Sequence, residues 1–148
     1  MSQSSVITKE EGWIKRGYSS DYGRPVFAVM NTELTTLPDY QTACGCTDIL
    51  MHTMERYFVA GDTMEMTDVI AEGLMRTVIK YYGILEKEPD NYEARANLMW
   101  CSSWAINGFL DMGKPVAWSV HAIEHELSAF YDITHGVGLA ILTPNWMR

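Results

Sequence analysis

The chain has 148 residues, of which 47% are hydrophobic and 20% charged, and a formal net charge of −8. This length and composition predict one globular domain that can bury a core. The negative charge argues against a nucleic-acid partner, because the phosphates of DNA or RNA would be repelled.

Two further features bear on the compartment. The longest apolar runs fall short of the roughly 20 residues that span a bilayer, and the N-terminal stretch MSQSSVITKEEG has neither the basic nor the apolar region of a secretion signal. The three cysteines are odd in number and two of them are close together, at Cys44 and Cys46. We therefore expect no membrane partner and a reducing, cytoplasmic location.

The first part of the chain reads as β structure. Residues 4–8 and 13–19 form two short β-branched and aromatic runs around a glycine-containing turn, which predicts a hairpin. Residues 24–31 form a third short run, which is apolar and includes a proline near its start, and it predicts a third strand. Pro38 closes this section, so we predict a β-rich segment over residues 1–38.

From residue 39 onward the pattern is that of packed helices, which predicts a mainly α fold. The predicted helical segments are 39–59, 63–88, 90–113, 115–133 and a final piece from 135 to 148. Asp90 or Asn91 is the expected N-cap of the third helix. Pro115 is expected in the first turn of the fourth, where its missing N–H costs nothing.

Histidines indicate a candidate metal site. His121, His125 and His135 lie within fifteen residues of one another, and His52 follows Asp48 by four. Asp48 and His52 are four residues apart, and so are His121 and His125. Residues i and i+4 of a helix have Cβ atoms about 5–6 Å apart, so the two members of each pair can share one ion. A single histidine among apolar residues is usually an ordinary core residue, but two such pairs in one domain favour metal binding.

The residues alone leave several kinds of site open. HAIEH, residues 121–125, matches the H-x-x-E-H motif of zinc proteases with Glu124 as base, although no acidic ligand follows Asp132. The di-iron pattern does not fit, because none of the four histidines has a glutamate three residues before it. What remains is a mononuclear site of one carboxylate and up to three imidazoles, donors that suit Zn²⁺ or Fe²⁺.

Two long stretches carry a family resemblance. LPDYQTACGCTDILMHTMERYF and WSVHAIEHELSAFYDITHGVGLAILTPNWM resemble the iron-containing alcohol dehydrogenases, in particular their butanol-dehydrogenase-like branch. The resemblance implies the helical metal-binding domain of the dehydroquinate-synthase-like fold. It implies an Fe²⁺ or Zn²⁺ ion bound by Asp48, His52, His121 and His135. His125 then lies beside the nicotinamide and the substrate, as a catalytic residue.

The same resemblance implies the cofactor and the reaction. NAD(P) would be contacted by Lys15 and Thr36, and hydride would pass between nicotinamide and a small primary alcohol or its aldehyde. The metal polarises the substrate oxygen. We also expect a homo-oligomer.

This sequence departs from the family in length. Family members carry a glycine-rich phosphate loop before the segment that opens here, whereas the glycines of this chain are scattered, and one residue is missing just before Thr36. We therefore expect an internal fragment. Residues 1–38 would be the end of the nucleotide-binding domain, and residues 39–148 a metal-binding domain truncated at its C-terminus. Such a fragment is expected to have little activity, and a non-catalytic, self-associating helical module is the alternative.

Overall fold

A computed structural model describes residues 2–61 and 64–148. It confirms a mainly helical chain with an N-terminal hairpin. The elements are β1 (Ser4–Lys9), β2 (Ile14–Ser19), α1 (Asp39–Tyr57), α2 (Glu65–Leu85), α3 (Tyr92–Ile106), α4 (Ser119–Tyr131) and α5 (His135–Trp146). Over the described residues, no helix combines the length and the apolar character that crossing a bilayer requires.

The hairpin is confirmed, and the predicted third strand is wrong. β1 and β2 pair antiparallel from Ser4 opposite Ser19 to Lys9 opposite Ile14. Residues 24–31 run without strand structure, and Val26 and Phe27 are 99% and 81% exposed. A strand needs a neighbour to pair with its backbone groups, and in the described part of the chain the sheet contains β1 and β2 alone.

Helix α1 is the central element, with two apolar clusters on either side of it. One cluster joins α1 to α2 and α3, where Leu74, Val78, Tyr81 and Leu85 recur at the spacing of a single helix face. The smaller cluster joins α1 to α4 and α5 through three fully buried side chains, Met51, Val120 and Leu139. The polar site described below lies beside this smaller cluster.

The boundaries of the second and third helices follow local signals. The Asn91 side chain accepts a hydrogen bond from the Ala94 N–H, which confirms the predicted cap of α3. The helix ends at Ile106 and not at Gly113, because Gly108 turns the chain at a φ of 88° and a 3₁₀ turn, Phe109–Asp111, follows. The start of α2 predicted at Thr63 lies outside the described residues.

Helix α4 begins four residues later than predicted. Pro115 lies in an extended segment before the helix, which starts at Ser119. The reason is a carboxylate from another helix: Glu55 of α1 accepts a hydrogen bond from the Val120 N–H at 2.6 Å. It also accepts one from the His121 N–H at 3.4 Å, so the first turn of α4 is capped by α1.

Candidate metal centre and active-site cavity

Three imidazole side chains, one from each of three helices, surround Asp48. Its Oδ1 atom lies 3.3 Å from His121 Nε2, 3.4 Å from His135 Nε2 and 3.5 Å from His52 Nε2. Asp48, His121 and His135 each offer a ligand atom within 4.8 Å of the others. Three of the predicted ligands thus form one compact group, and His52, from the next turn of α1, approaches Asp48 without belonging to that group. Glu124, His125 and His135 form a second group of the same kind.

Two buried carboxylates fix the rings of two of these histidines. Glu55 Oε2 pairs with Nδ1 of His121, and Glu124 Oε2 pairs with Nδ1 of His135. Both glutamate side chains are fully buried. An imidazole that donates its Nδ1–H to a carboxylate keeps the Nε2 lone pair free for a metal, and the carboxylate raises its basicity.

His52 is held differently. The guanidinium of Arg56 donates to the His52 carbonyl oxygen at 2.6 Å and lies 3.4 Å from His52 Nδ1. The same guanidinium stacks on Trp118, 4.2 Å from the ring centroid, and pairs with Asp111. The edge of Trp118 contacts His52 in turn, so this side of the site is built by a cation and an aromatic ring.

The charges of the cluster shift the pKa values of its members. Burial opposes ionisation of Asp48, but hydrogen bonds from His121 and His135 outweigh it and hold the pKa of Asp48 well below its usual range. Burial likewise opposes protonation of His135, yet its bonds to Asp48 and Glu124 raise its pKa to about 9. The pKa of His52 falls to about 4, chiefly through burial. The contacts that keep Asp48 ionised therefore also hold a proton on His135, which a metal ion would have to displace.

Close packing of α5 on α1 places His135 at the site. A Cβ atom on Gly136 would lie 2.4 Å from the carbonyl oxygen of Cys44 and 2.6 Å from its Cα atom, both backbone atoms of α1. Only glycine permits this approach. Gly136 is thus a functional position that the sequence reasoning missed, although a glycine directly after a candidate ligand was the visible signal.

Glu55 was also missed, and Glu124 was considered only as a protease base. A signal for Glu55 existed, because Asp48, His52 and Glu55 recur at spacings of four and three along one face of α1. The sequence could not show that this face meets the start of α4. Glu124 is fully buried against His135, and a carboxylate enclosed in this way is unsuited to activating water, which disfavours the H-x-x-E-H interpretation.

A cavity of about 780 Å³ opens onto the site. Its lining includes the four candidate ligands together with Trp118 and His125. His125 lies on α4, one turn after His121. Its ring centroid is 5.5 Å from that of His135 on α5. Burial and the nearby Lys15 lower the pKa of His125, so its imidazole is neutral near pH 7. This placement is compatible with the predicted role beside the substrate.

Lys15 and Thr36, the residues predicted to contact the cofactor, lie outside the cluster around Asp48, and their cofactor role stays a prediction. Lys15 donates to Ser128 Oγ at 2.6 Å and lies 3.7 Å from Glu124 Oε2, so its ammonium group is turned toward α4. Thr36 is exposed between the 3₁₀ turn Thr32–Thr35 and α1, and the described residues that line the cavity do not include it. The structure brings neither residue into the cluster around Asp48.

Comparison with known proteins identifies the family. Residues 42–148 match the model of the Fe-containing alcohol dehydrogenase family, C-terminal part. The chain belongs to this family. It is 55% identical over 149 residues to NADH-dependent butanol dehydrogenase A of Clostridium acetobutylicum, and 38% identical over 141 residues to an NADPH-dependent aldehyde reductase of Escherichia coli.

These relatives are longer proteins. The match to the Clostridium enzyme covers 100% of this chain and 38% of that protein, and the match to the E. coli reductase covers 95% and 36%. The crystal structure of NADH-dependent butanol dehydrogenase A from Thermotoga maritima superposes with a TM-score of 0.95 at 43% identity. That superposition covers 99% of this chain and 37% of that one. The iron-containing alcohol dehydrogenase fold is therefore confirmed for this chain.

The donor set fits the metal that the family name implies. One carboxylate and up to three imidazoles, two of them with Nδ1 held by a carboxylate, suit a divalent iron or zinc ion better than the all-oxygen sites of Ca²⁺ or Mg²⁺. Among the described residues, the groups that could hold an ion contain no cysteine, and Cys46 and Cys101 are buried in the other apolar cluster.

Proposed function

We propose that this chain is the metal-binding part of an NAD(P)-dependent alcohol dehydrogenase that interconverts a primary alcohol and its aldehyde. Residues 39–148 would form the metal-binding domain, and residues 1–38 the end of a nucleotide-binding domain. The single observation that carries the proposal is the meeting of one Asp48 oxygen with three imidazole Nε2 atoms at 3.3–3.5 Å. The family relatives supply the reaction class.

The residues of the chain divide the work between them. Asp48, His52, His121 and His135 would hold Fe²⁺ or Zn²⁺, which supplies a Lewis acid for the substrate oxygen. Trp118 packs at a steep interplanar angle against both His52 and His121, with ring centroids 5.1 and 5.0 Å apart, and so helps to hold these two rings in place.

His125 faces the same cavity as a neutral imidazole. Burial and Lys15 lower its pKa and keep the ring unprotonated, and a neutral imidazole has one N–H to donate and one nitrogen to accept a proton as the substrate oxygen gains or loses one. We therefore propose His125 as a catalytic residue that contacts the substrate. His125 is not part of the group formed by Asp48, His121 and His135, which supports this division of roles. It does belong to a second possible group with Glu124 and His135, and metal content in the histidine variants distinguishes the two groups.

The metal assignment is tested by the metal content of protein purified without chelator, in the wild type and in three variants. We expect about one equivalent in the wild type. His121→Ala and His135→Ala should lose it, and His125→Ala should keep it. Loss with His121→Ala and His125→Ala but retention in His135→Ala would instead support the H-x-x-E-H site.

Dehydrogenase activity needs more than this site. The chain spans 38% of the Clostridium relative, and the glycines at positions 12, 17, 23 and 45 do not form a phosphate-binding loop. We expect the 148-residue chain to bind metal but to oxidise NADH or NADPH slowly with butyraldehyde. Robust turnover by the purified chain would contradict this expectation.

One observation favours the alternative of a self-associating module. Val26, Phe27 and Val29 are 81–99% exposed in a segment without secondary structure, which is unusual for apolar side chains in succession. Light scattering over a range of concentrations, on the wild type and on Phe27→Ser, distinguishes the cases. Defined oligomers of the wild type that dissociate in Phe27→Ser would support self-association through this segment. The formation of a homo-oligomer stays a prediction.

A further inference from the structure

Glu124 occupies an unusual position for a carboxylate. Its side chain is fully buried on α4, one turn after His121, and its Oε2 atom pairs with Nδ1 of His135 on α5. A buried, ionised carboxylate is costly unless hydrogen bonds and charges offset its desolvation. The molecule therefore maintains Glu124 at this position by specific contacts, and these contacts all involve the metal-site side of α4.

The first contact is steric. A Cβ atom on Gly138 would lie 2.8 Å from both Cγ and Oε1 of Glu124. Because Gly138 follows His135 by three residues, the two lie on the same face of α5. The same face of α5 thus presents the histidine that Glu124 binds and the glycine that makes room for the Glu124 side chain.

The second contact is electrostatic. Lys15 of β2 brings its ammonium group to 3.7 Å from Glu124 Oε2, and a 2.6 Å hydrogen bond to Ser128 Oγ anchors that group. The Lys15 side chain is only 16% exposed, so this pair is screened little by solvent. The hairpin is in this way connected to His135 through one carboxylate.

The third feature concerns the other oxygen of the carboxylate. Glu124 Oε1 is buried, and no described residue donates a hydrogen bond to it. Both polar partners of the carboxylate, the His135 ring and the Lys15 ammonium, therefore lie at Oε2.

We propose that Glu124 is a positioning residue of the metal site, which holds the His135 ring with Nε2 directed at Asp48, and that Gly138 and Lys15 serve to keep it there. The inference rests on the proposed function, since it concerns the same metal. It goes beyond the proposed ligands Asp48, His52, His121 and His135 because it assigns a role to three residues outside that set.

The test measures metal affinity on the 148-residue chain, freed of metal by a chelator. Co²⁺ is the probe, because its visible absorption reports the number and geometry of ligands, and Zn²⁺ displacement of Co²⁺ gives a second affinity. The variants are Glu124→Ala, Glu124→Gln and Gly138→Ala. The control for the glutamate variants is Glu126→Ala, because Glu126 is exposed and pairs with Arg16 at 2.7 Å. The control for Gly138→Ala is Gly73→Ala, because a Cβ added at this helical glycine meets nothing within 4 Å.

We expect Glu124→Ala to weaken Co²⁺ binding about 10- to 100-fold, the range typical of groups that orient a ligand, and to change the absorption spectrum. Glu124→Gln should lose less, because its amide oxygen still accepts the Nδ1–H of His135 without the charge. Gly138→Ala should resemble Glu124→Ala although the carboxylate is retained. The two controls should bind Co²⁺ within about twofold of the wild type, with an unchanged spectrum.

Wild-type affinity and spectrum in both Glu124→Ala and Gly138→Ala would overturn the inference while leaving the metal site intact. Failure of the wild type to bind Co²⁺ would overturn the proposed metal site itself, and the inference with it. If Glu124→Ala does not fold, Glu124→Gln and Gly138→Ala decide. Wild-type binding by both of these would then refute the positioning role.

Discussion

The substitution Gly136→Ala tests the packing on which the site depends. The added Cβ would lie 2.4 Å from the Cys44 carbonyl oxygen, whereas real Cβ atoms essentially never come within 3.0 Å of another heavy atom. Because the atoms it meets are backbone atoms of α1, no side chain can rotate away. Helix α5 must therefore shift from α1 by about 0.6 Å or more, and His135 shifts with it.

The magnitude follows from two opposing terms. Overpacking in a tight interface costs about 1–3 kcal/mol, and replacing glycine by alanine within a helix returns up to about 1 kcal/mol. At Gly136, which lies in the first turn of α5, the return is smaller, so we expect a net loss of about 2 kcal/mol in the free energy of unfolding. For a chain of this length that corresponds to a fall in Tm of about 4–8 °C.

Thermal unfolding followed by circular dichroism measures the effect, and Co²⁺ titration measures its consequence for the site. Gly45→Ala is the control, since it lies on α1 next to Cys44 and its added Cβ meets nothing within 4 Å. That variant should keep or slightly raise the Tm. A Gly136→Ala protein that unfolds at or above the wild-type temperature and binds Co²⁺ as well would refute the argument that backbone contact sets the position of His135.

Three further results are expected. Lys15→Met should weaken Co²⁺ binding about two- to tenfold, because it removes the cation beside the buried carboxylate of Glu124. The control Arg16→Met, on the exposed side of β2, should leave Co²⁺ binding unchanged. Equal effects of the two substitutions would indicate a general loosening of the hairpin. A thiol reagent at pH 8 should modify the half-buried Cys44 well before Cys46 and Cys101, each only 6% exposed, and equal rates for all three would contradict this burial. Burial raises the pKa of both buried thiols to about 11 from 9.0, so above pH 9 the unfolded chain releases protons that the folded chain keeps, and denaturant titrations should show stability falling between pH 9 and pH 11.

The features that local sequence decides were predicted correctly. The hairpin has its glycine turn and β-branched strands, and α3 begins at an Asn91 cap whose side chain satisfies a backbone N–H. The prediction of a third strand was wrong because a strand requires a neighbouring strand to pair with, and local sequence does not reveal one. The prediction that α4 starts at Pro115 was wrong for the same reason, since the start of α4 is fixed by Glu55, which is 65 positions before Val120 in sequence.

The candidate site likewise combines features that local sequence predicts with features that depend on contacts between helices. The i, i+4 spacing put Asp48 and His52 on one helix face without any knowledge of the fold. The choice of His135 over His125 as the third imidazole ligand came from the family resemblance, because no helical period spans the fourteen residues from His121. The helical spacing put Glu55 on the same face as Asp48 and His52, but the histidine partners of Glu55 and Glu124 could not be assigned, since each carboxylate reaches its histidine from a different helix.

Those carboxylates link the three helices in a closed circuit. From α1, Glu55 reaches His121 on α4; from α4, Glu124 reaches His135 on α5; and His121 and His135 both return to Asp48 on α1. Each helix therefore supplies an acceptor, a histidine or both to its neighbours, and none can move without breaking a buried polar contact. Because an unpaired buried carboxylate or imidazole is costly, the circuit couples the packing of α4 and α5 on α1 to the geometry of the ligands. This coupling is the physical reason why residues remote from the ion, the glycines of α5 among them, are expected to affect metal binding as strongly as some groups beside it.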